Sequence, residues 1–288
     1  MQQFIMFFVE NACRPSQPHS QPTYNASRMV VLCLQNGVVS LFVTLRSDQF
    51  LCWTMEATGS PRVLQVAIPI FKNVTALDFV GPYESLHILP NVNVVFVSHS
   101  KGLYSADLGM LSFQATATFD EVPSPDIIVV PGGDGTNALM ADKPILDWIR
   151  KAHETSLYTT SVCSGSLLLG AAGILQGKEA TTHWMALQML SNFGAKPVSS
   201  RVVQSGKVIT AAGVSAGIDM GLKLAAMITD ETTAKVVQLM MEYDPQPPFN
   251  CGSLTTASPE VVAIARSWVE KMMPDVNLQQ TAAPASDV

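Results

Sequence analysis

The sequence predicts an α/β protein built on a largely parallel sheet. From Arg62 onward, short runs rich in β-branched residues alternate with amphipathic segments, which is the pattern of consecutive βαβ units. The chain is also long and apolar enough for such a fold. With 288 residues, 48% of them hydrophobic and 14% charged, it can bury one substantial core, alone or with an appended segment.

The predicted elements follow one another in a regular order. Pro82 and Pro144 begin two of the helices, because a first helical turn tolerates a missing N–H group. The predicted strands are Val63–Phe71, Val92–Val97, Asp126–Val130, Leu157–Val162 and Lys207–Ala211. The predicted helices are Pro82–Ile88, Pro144–Glu154, Ser164–Leu175, His183–Phe193, Ser215–Ile228, Glu231–Glu242 and Pro259–Met273.

The pattern divides the chain into three parts. Residues 1–61 combine a polar stretch with hydrophobic runs that lack helix caps, and we interpret them as an N-terminal extension of uncertain structure. Short strands, a disordered extension and sequence foreign to the fold all remain open for this part. Residues 62–275 form the predicted α/β domain, and residues 276–288 a flexible tail.

Composition excludes several classes of protein. The net charge is −6, and the 17 lysines and arginines are scattered, so we expect no nucleic-acid partner. No apolar run reaches the roughly 20 residues that span a bilayer, so we expect no membrane contact and a cytoplasmic location. Five cysteines without a CxxC pair fit neither a disulfide framework nor a zinc site, which raises the question of whether one is reactive.

Cys163 is the first candidate for a reactive residue. In doubly wound sheets, ligands bind beyond the carboxyl ends of the strands. Cys163 stands between a predicted buried strand and a helix rich in leucine and alanine, with Gly165 two places later, as in a nucleophile elbow. We expect the helix start to favour the thiolate form. The alternative is a small buried hydrophobic residue.

Asp78 follows the first predicted strand, between Leu77 and Phe79. An acid in this apolar setting is a candidate general acid or base, because its charged form is disfavoured there. The alternative is a helix N-cap that binds backbone N–H groups. Glu84 lies further along the same segment and is expected to be exposed.

Gly132 and Gly133 end a third strand, in the sequence Val-Val-Pro-Gly-Gly-Asp-Gly-Thr. Backbone N–H groups in such a turn can stabilise a developing negative charge. The turn lacks the Lys-Ser/Thr pair of a phosphate-binding loop and is no dinucleotide fingerprint. A plain loop is the alternative.

Together these turns resemble the ThiJ/PfpI superfamily, and within it the isocyanide (isonitrile) hydratases. The resemblance covers about residues 62–273. It rests on six segments in this order: Asp78-Phe-Val-Gly-Pro, Val130-Pro-Gly-Gly, the stretch from Ser161 to Gly173, Ala180-Thr-Thr-His-Trp, Gly217-Ile-Asp, and Glu242-Tyr-Asp-Pro-Gln-Pro-Pro-Phe-Asn.

The resemblance implies a flavodoxin-like three-layer sandwich, usually a homodimer, that converts R–N≡C and water into an N-substituted formamide. Cys163 would then be the nucleophile and Asp78 the acid/base. Gly132, Gly133 and Ser164 would serve as oxyanion or positioning groups, and Val214 would line the pocket. Thiolate attack on the isocyanide carbon gives a thioimidate, and Asp78 could manage the proton and then activate water. No metal or organic cofactor is required.

Two departures limit the resemblance. Ser164 stands where the hydratases often have threonine, so the hydroxyl is kept and a methyl group is lost. Protease-like members place histidine directly after the cysteine, so Ser164 also counts against a peptidase. His183 is the other histidine in a shared motif, and we interpret it as structural.

Two rival functions stay open, and a third is disfavoured. A glyoxalase or deglycase of the same superfamily would attack a carbonyl, with a glutamate near the cysteine. A redox stress response through oxidation of Cys163 is the second. Transcription regulators carry a similar domain with a helix-turn-helix region after it, and we expect no room for that region at the end of this chain.

Overall fold

The structure of the protein is a computed structural model. It describes residues 4–7, 30–35, 38–46, 49–56 and 62–272. The chain forms two compact units, Met1–Arg62 and Val63–Val288. The predicted tail, residues 276–288, lies outside the described residues.

The first unit contains a four-stranded antiparallel sheet. Its strands follow one another in space as in sequence, so each pairs with the next along the chain. Short strands, one of the three alternatives for residues 1–61, are therefore present. They are β1 (Phe4–Phe7), β2 (Val30–Gln35), β3 (Val38–Arg46) and β4 (Gln49–Glu56).

The second unit is built around a seven-stranded sheet with a parallel centre. Its strands are β5 (Leu64–Pro69), β6 (Val92–Ser98), β9 (Ala117–Thr118), β10 (Ile127–Val130), β11 (Tyr158–Val162), β14 (Val202–Ser205) and β15 (Val208–Ala211). The order is β14-β15-β11-β10-β5-β6-β9, and only β14 is antiparallel to its neighbour. The five predicted strands are confirmed, and they form the five central positions of this order.

The remaining strands are short or lie outside the main sheet. A hairpin joins β7 (Gly102–Ala106) to β8 (Leu111–Ala115), and a small parallel pair joins β12 (Glu179–Ala180) to β13 (Lys196–Pro197). The sequence did not predict these four strands, nor the edge strands β9 and β14. They lack the continuous buried runs of the central strands: in β10 all four residues are fully buried, whereas β8 is mostly exposed.

Helices cover both faces of the sheet. The α-helices are α1 (Ala76–Leu86), α2 (Thr136–Leu139), α3 (Lys143–Thr155), α4 (Gly165–Ala171), α5 (Ala216–Ile228), α6 (Glu231–Met240) and α7 (Pro259–Met272), and a 3-10 helix spans Trp184–Phe193. Helices α1, α5 and α6 pack together, as do α2, α3 and α4, and both groups contact the central strands. The predicted three-layer α/β sandwich is confirmed.

Helix α1 corrects one predicted boundary. It begins at Ala76 rather than at Pro82, so Pro82 lies inside the helix and removes one backbone N–H from it. The ring of Pro82 is buried against α5, where a Cβ at Gly217 would lie 3.1 Å from Pro82 Cδ. Packing of the ring against a glycine thus compensates the lost hydrogen bond. The earlier start places Asp78 in the first turn of the helix.

Helix α4 approaches the sheet too closely for any side chain at its first residue. A Cβ at Gly165 would lie 2.1 Å from the carbonyl oxygen of Val130, in the adjacent strand β10. The glycine therefore permits the contact between the start of α4 and the end of β10, on which the position of Cys163 depends.

We expect Gly165→Ala to lower the free energy of unfolding by at least about 2 kcal/mol, because the methyl group overlaps the Val130 carbonyl and the helix must shift. Gly252→Ala is the matched control, since a Cβ there meets no atom within 4 Å. Urea unfolding of both variants tests this. Equal midpoints for the two variants would show that the close approach is not required.

Candidate active site

The carboxyl ends of the parallel strands converge on one cleft. Cys163 directly follows β11, Gly132 follows β10, Val214 follows β15, and Asp78 lies in the helix after β5. Neighbouring parallel strands end at the same edge of a sheet, so these four positions become close in space although they are far apart in sequence. The structure thus brings together the residues that the sequence singled out.

Cys163 adopts a backbone conformation that few non-glycine residues tolerate, with φ of +57°. Its N–H donates to the carbonyl oxygens of Ala211 (3.1 Å) and Ala212 (2.8 Å). Its carbonyl oxygen accepts hydrogen bonds from the hydroxyls of Thr182 (2.8 Å) and Ser166 (3.3 Å). Strain of this kind persists only where the surroundings fix it. Cys163 thus lies at a strand–turn–helix junction between β11 and α4, and Thr182 has a structural role.

The surroundings of the Cys163 sulfur differ from the sequence expectation. Burial raises the pKa of the thiol, and the nearby negative charge of Asp78 raises it further. Backbone N–H groups of Ser164 and Val214 donate to the sulfur and act in the opposite direction, but more weakly. The helix start therefore does not produce a free thiolate, because desolvation outweighs it. Burial and the charge of Asp78 both favour the protonated form of the sulfur.

Asp78 is fully buried beside this thiol. Its Oδ2 accepts a hydrogen bond of 2.9 Å from the N–H of Gly132, whereas Oδ1 is buried without a hydrogen-bond partner among the described residues. Burial raises the pKa of Asp78 to about 7, although the hydrogen bond from Gly132 and the neighbouring Cys163 thiol lower it. The N-cap alternative is wrong, since Thr75 holds the N-cap position of α1. Asp78 is placed to exchange a proton near neutral pH.

The glycine turn supports the site indirectly. The Gly132 N–H binds Asp78, and the Gly133 N–H donates to the Ser164 hydroxyl at 3.0 Å. The same hydroxyl lies 3.1 Å from Thr136 Oγ1. This differs from the expectation that both glycine N–H groups face the substrate: the two groups position the carboxyl and the hydroxyl instead. The N–H groups directed at the sulfur belong to Ser164 and Val214.

A cavity of about 240 Å³ opens above Cys163. Most of its wall is apolar, and its charged side chain is Asp134, whose pKa is raised by burial and by the neighbouring Asp107. Val214 lines the cavity, as the resemblance implied. The lining residues are Thr75, Gly133, Asp134, Thr136, Asn137, Cys163, Ser164, Leu167, His183, Met185, Ala186, Met189, Val214 and Val269.

His183 and Glu84 have different positions relative to this cavity. His183 lines it, and burial lowers the pKa of its imidazole, so the ring is neutral at pH 7. No group among the described residues makes a hydrogen bond to the ring. Glu84 is exposed and pairs with His87 at 3.2 Å, away from the cavity.

Several residues of the cavity wall had no role in the sequence-based prediction. Asp134 and Thr136 lie in the quoted glycine turn, so their proximity could have been inferred from it. Met185, Met189 and Val269 carry no such signal, because an apolar residue on a helix more often faces a core than a ligand.

The Gly217-Ile-Asp and Glu242-Tyr-Asp motifs meet outside the cavity. Arg201 Nε donates to Asp219 Oδ2 at 2.5 Å, and the Tyr243 hydroxyl donates to the same oxygen at 3.2 Å. Arg201 also reaches the Ser215 hydroxyl at 3.3 Å. This cluster ties the start of α5, which follows Val214, to the segment after α6.

A metal site and a membrane-spanning helix can both be assessed for the residues that the structure describes. Within that part of the chain, no group of three His, Cys, Asp or Glu side chains could hold a metal ion. The helices found there are all too short or too polar to traverse a lipid bilayer.

Comparison with known proteins finds a matching family model and several similar proteins. Residues 64–227 match the model of the DJ-1/PfpI family. The isonitrile hydratase of Pseudomonas putida is 46% identical over 203 residues, which cover 70% of this chain and 89% of that protein. A ThiJ/PfpI family protein from Pseudomonas syringae has a similar structure, with a TM-score of 0.71 and 36% identity, covering 83% of this chain and 98% of that one. DJ-1 from Toxoplasma gondii, 19% identical with a TM-score of 0.57, covers 63% and 100% and shares the fold.

The raised pKa of Asp78 predicts a specific dependence of stability on pH. Between about pH 4 and 7 the folded chain keeps this proton while the unfolded chain loses it, so its contribution to stability is full below pH 4 and lost as pH rises through 7. Asp78→Asn removes this dependence. The difference in free energy of unfolding between the variant and the unsubstituted protein should shift by about 2 kcal/mol in favour of the variant when the pH is raised from 5 to 8.

Urea unfolding at both pH values measures this difference. Asp244→Asn is the matched control, because Asp244 is exposed, and its offset from the unsubstituted protein should stay constant. A constant offset for Asp78→Asn as well would contradict a raised pKa at Asp78.

Proposed function

The chain belongs to the DJ-1/PfpI family, and we propose that it is an isocyanide hydratase, which adds water to R–N≡C to give the formamide R–NH–CHO. The relative in Pseudomonas putida has this activity in its name and aligns over most of both chains. The observation that carries the proposal within the structure is the contact between the Cys163 thiol and the buried Asp78 carboxyl, beneath an apolar cavity.

In the first step, Cys163 adds to the isocyanide carbon. Asp78, as a carboxylate, accepts the thiol proton while the Sγ–C bond forms. The proton then passes from Asp78 to the same carbon, which gives the thioimidate R–N=CH–S–Cys163. The Ser164 and Val214 N–H groups stabilise negative charge on sulfur during the transfer. At the end of this step Asp78 is again a carboxylate. The sulfur and the hydrogen of the thiol are both bound to the former isocyanide carbon.

In the second step, water adds to the thioimidate carbon. Asp78 accepts a proton from the water and passes it to the nitrogen, which gives R–NH–CH(OH)–S–Cys163. Collapse of this intermediate breaks the C–S bond, forms the formamide carbonyl and returns a proton to the sulfur. The sum is R–N≡C plus H₂O giving R–NH–CHO. Every proton transfer uses groups of this chain or the water itself.

The pocket favours hydration over the glyoxalase or deglycase alternative. That alternative requires a glutamate near the cysteine, and the cavity lining contains none among the residues that the structure describes. The acid in contact with the thiol is Asp78.

We expect Cys163→Ala to abolish formamide production from cyclohexyl isocyanide, because no covalent intermediate can form. Cys251→Ala is the matched control, since Cys251 lies in the loop before α7 and does not line the cavity, and it should keep full turnover. Turnover of methylglyoxal is measured side by side. Methylglyoxal activity without isocyanide activity would overturn the assignment in favour of the glyoxalase.

Asp78→Asn separates acid–base catalysis from thiol reactivity. We expect kcat for hydration to fall by a factor of about 100 or more, because the proton carrier is lost. Alkylation of Cys163 by iodoacetamide at pH 8 should instead become faster, since the charge that raises the pKa of the thiol has gone. Asp244→Asn should change neither rate. Equal hydration rates for Asp78→Asn and the unsubstituted protein would leave Asp78 without a catalytic role.

We also propose that the chain forms a homodimer. The turn of the β7–β8 hairpin supports this, because its two apolar residues, Leu108 and Met110, are 89% and 91% exposed. Light scattering should give twice the chain mass of 31.0 kDa. The Leu108→Asp/Met110→Asp double variant should be a monomer, whereas Leu239→Asp on α6 should remain a dimer. A monomeric unsubstituted protein would refute the proposal.

A further inference from the structure

Helix α7 lies outside the segment that matches the family model, yet it forms part of the cavity wall. The match ends at residue 227, and α7 spans Pro259–Met272. Val269 is the residue that α7 contributes to the wall, and all other lining residues fall within the matched segment. The reacting groups therefore come from the shared fold, while one wall comes from a segment beyond it.

One side of α7, which includes the lining residue Val269, is partly buried. Val262, Ala265, Arg266 and Val269 are partly buried, at the i, i+3, i+4, i+7 spacing of a single helical face. The guanidinium of Arg266 lies 5.3 Å from the ring centre of Trp184, the first residue of the 3-10 helix. That same helix contributes Met185 and Met189 to the wall, so α7 is anchored next to the methionines.

The opposite side of α7 is exposed. Val261, Ile264 and Trp268 are 45%, 45% and 63% exposed, again at helical spacing. A substitution on this side leaves the cavity unchanged, whereas a substitution at Val269 alters its volume. The helix thus provides a test residue and a control residue of the same type, Val269 and Val261.

The geometry of an isocyanide determines which wall its substituent meets. The C≡N–R unit of the free isocyanide is linear, so a molecule whose carbon approaches Cys163 directs R away from the sulfur, toward the cavity that Leu167, Met189 and Val269 line. The cavity volume of about 240 Å³ is below the roughly 300–1,000 Å³ of sites for drug-sized ligands. Within the described part of the chain, no lysine or arginine lines it, so a negatively charged R group finds no cationic partner there.

We propose that Val269 on α7 sets the size limit on the R group of the isocyanide. This inference rests on the proposed hydratase function. Val269 acts as a specificity residue and takes no part in proton transfer. Its side chain fills space that a larger R group would need.

The experiment compares kcat/KM for ethyl, cyclohexyl and 2-naphthyl isocyanide. In Val269→Ala, the ratio of kcat/KM for 2-naphthyl to that for ethyl isocyanide should rise about tenfold, because removing methyl groups from an apolar pocket changes discrimination on that scale. In Val269→Phe the ratio for cyclohexyl to ethyl should fall by a similar factor. Val261→Ala, on the exposed side, should keep both ratios within about twofold of the unsubstituted protein.

Alkylation of Cys163 provides a readout that does not depend on hydration. Iodoacetamides carrying N-ethyl and N-cyclohexyl groups are compared on the same variants, and the N-ethyl reagent also checks that each variant keeps an intact site. A shift in the cyclohexyl-to-ethyl ratio without turnover of any isocyanide would support the role of Val269 while refuting the hydratase function. Unchanged ratios in both Val269 variants, in turnover and in alkylation, would overturn the role of Val269.

Discussion

The site depends on one contact, between the buried Asp78 carboxyl and the Cys163 thiol. Burial raises the pKa of both groups. Near neutral pH the two groups therefore titrate as a coupled pair, and the proton belongs to the pair rather than to one residue. A buried carboxyl with one unpartnered oxygen is unfavourable for folding. The strand ends and the start of α1 must therefore fix it, and the Gly132 N–H is the donor that does so directly.

The need to hold the Asp78 carboxyl against the Cys163 thiol explains why glycines surround this contact. A Cβ at Gly132 would lie 2.5 Å from the Ser164 nitrogen, and a Cβ at Gly133 would lie 2.4 Å from the Asn73 carbonyl oxygen. Gly133 also has φ of +129°, which side-chain-bearing residues rarely adopt. The turn after β10 is thus compressed between the Cys163 elbow and the segment before α1. Only the absence of side chains lets three strand ends approach closely enough for the acid to touch the thiol.

The predictable part of this structure is the part with strong local signals. Continuous β-branched runs identified the five central strands, and the strand–Cys163–helix pattern identified the elbow, because each signal lies within a short window. The edge strands and the β7–β8 hairpin lack such runs. The direction of the thiol pKa shift was also missed, since it depends on burial and on Asp78, which no local pattern reveals. Val269 joins the cavity only through tertiary packing of α7.

The arrangement of acid and thiol fits the chemistry of isocyanides in one further respect. Addition of a thiol to an isocyanide places sulfur and hydrogen on the same carbon, so the proton donor must lie beside the sulfur. Addition to a carbonyl instead delivers the proton to an oxygen one bond away. Asp78 contacts the thiol itself, which satisfies the first requirement. A thiol whose protonated form is favoured is then no disadvantage, because the same proton is needed on the carbon that the sulfur attacks.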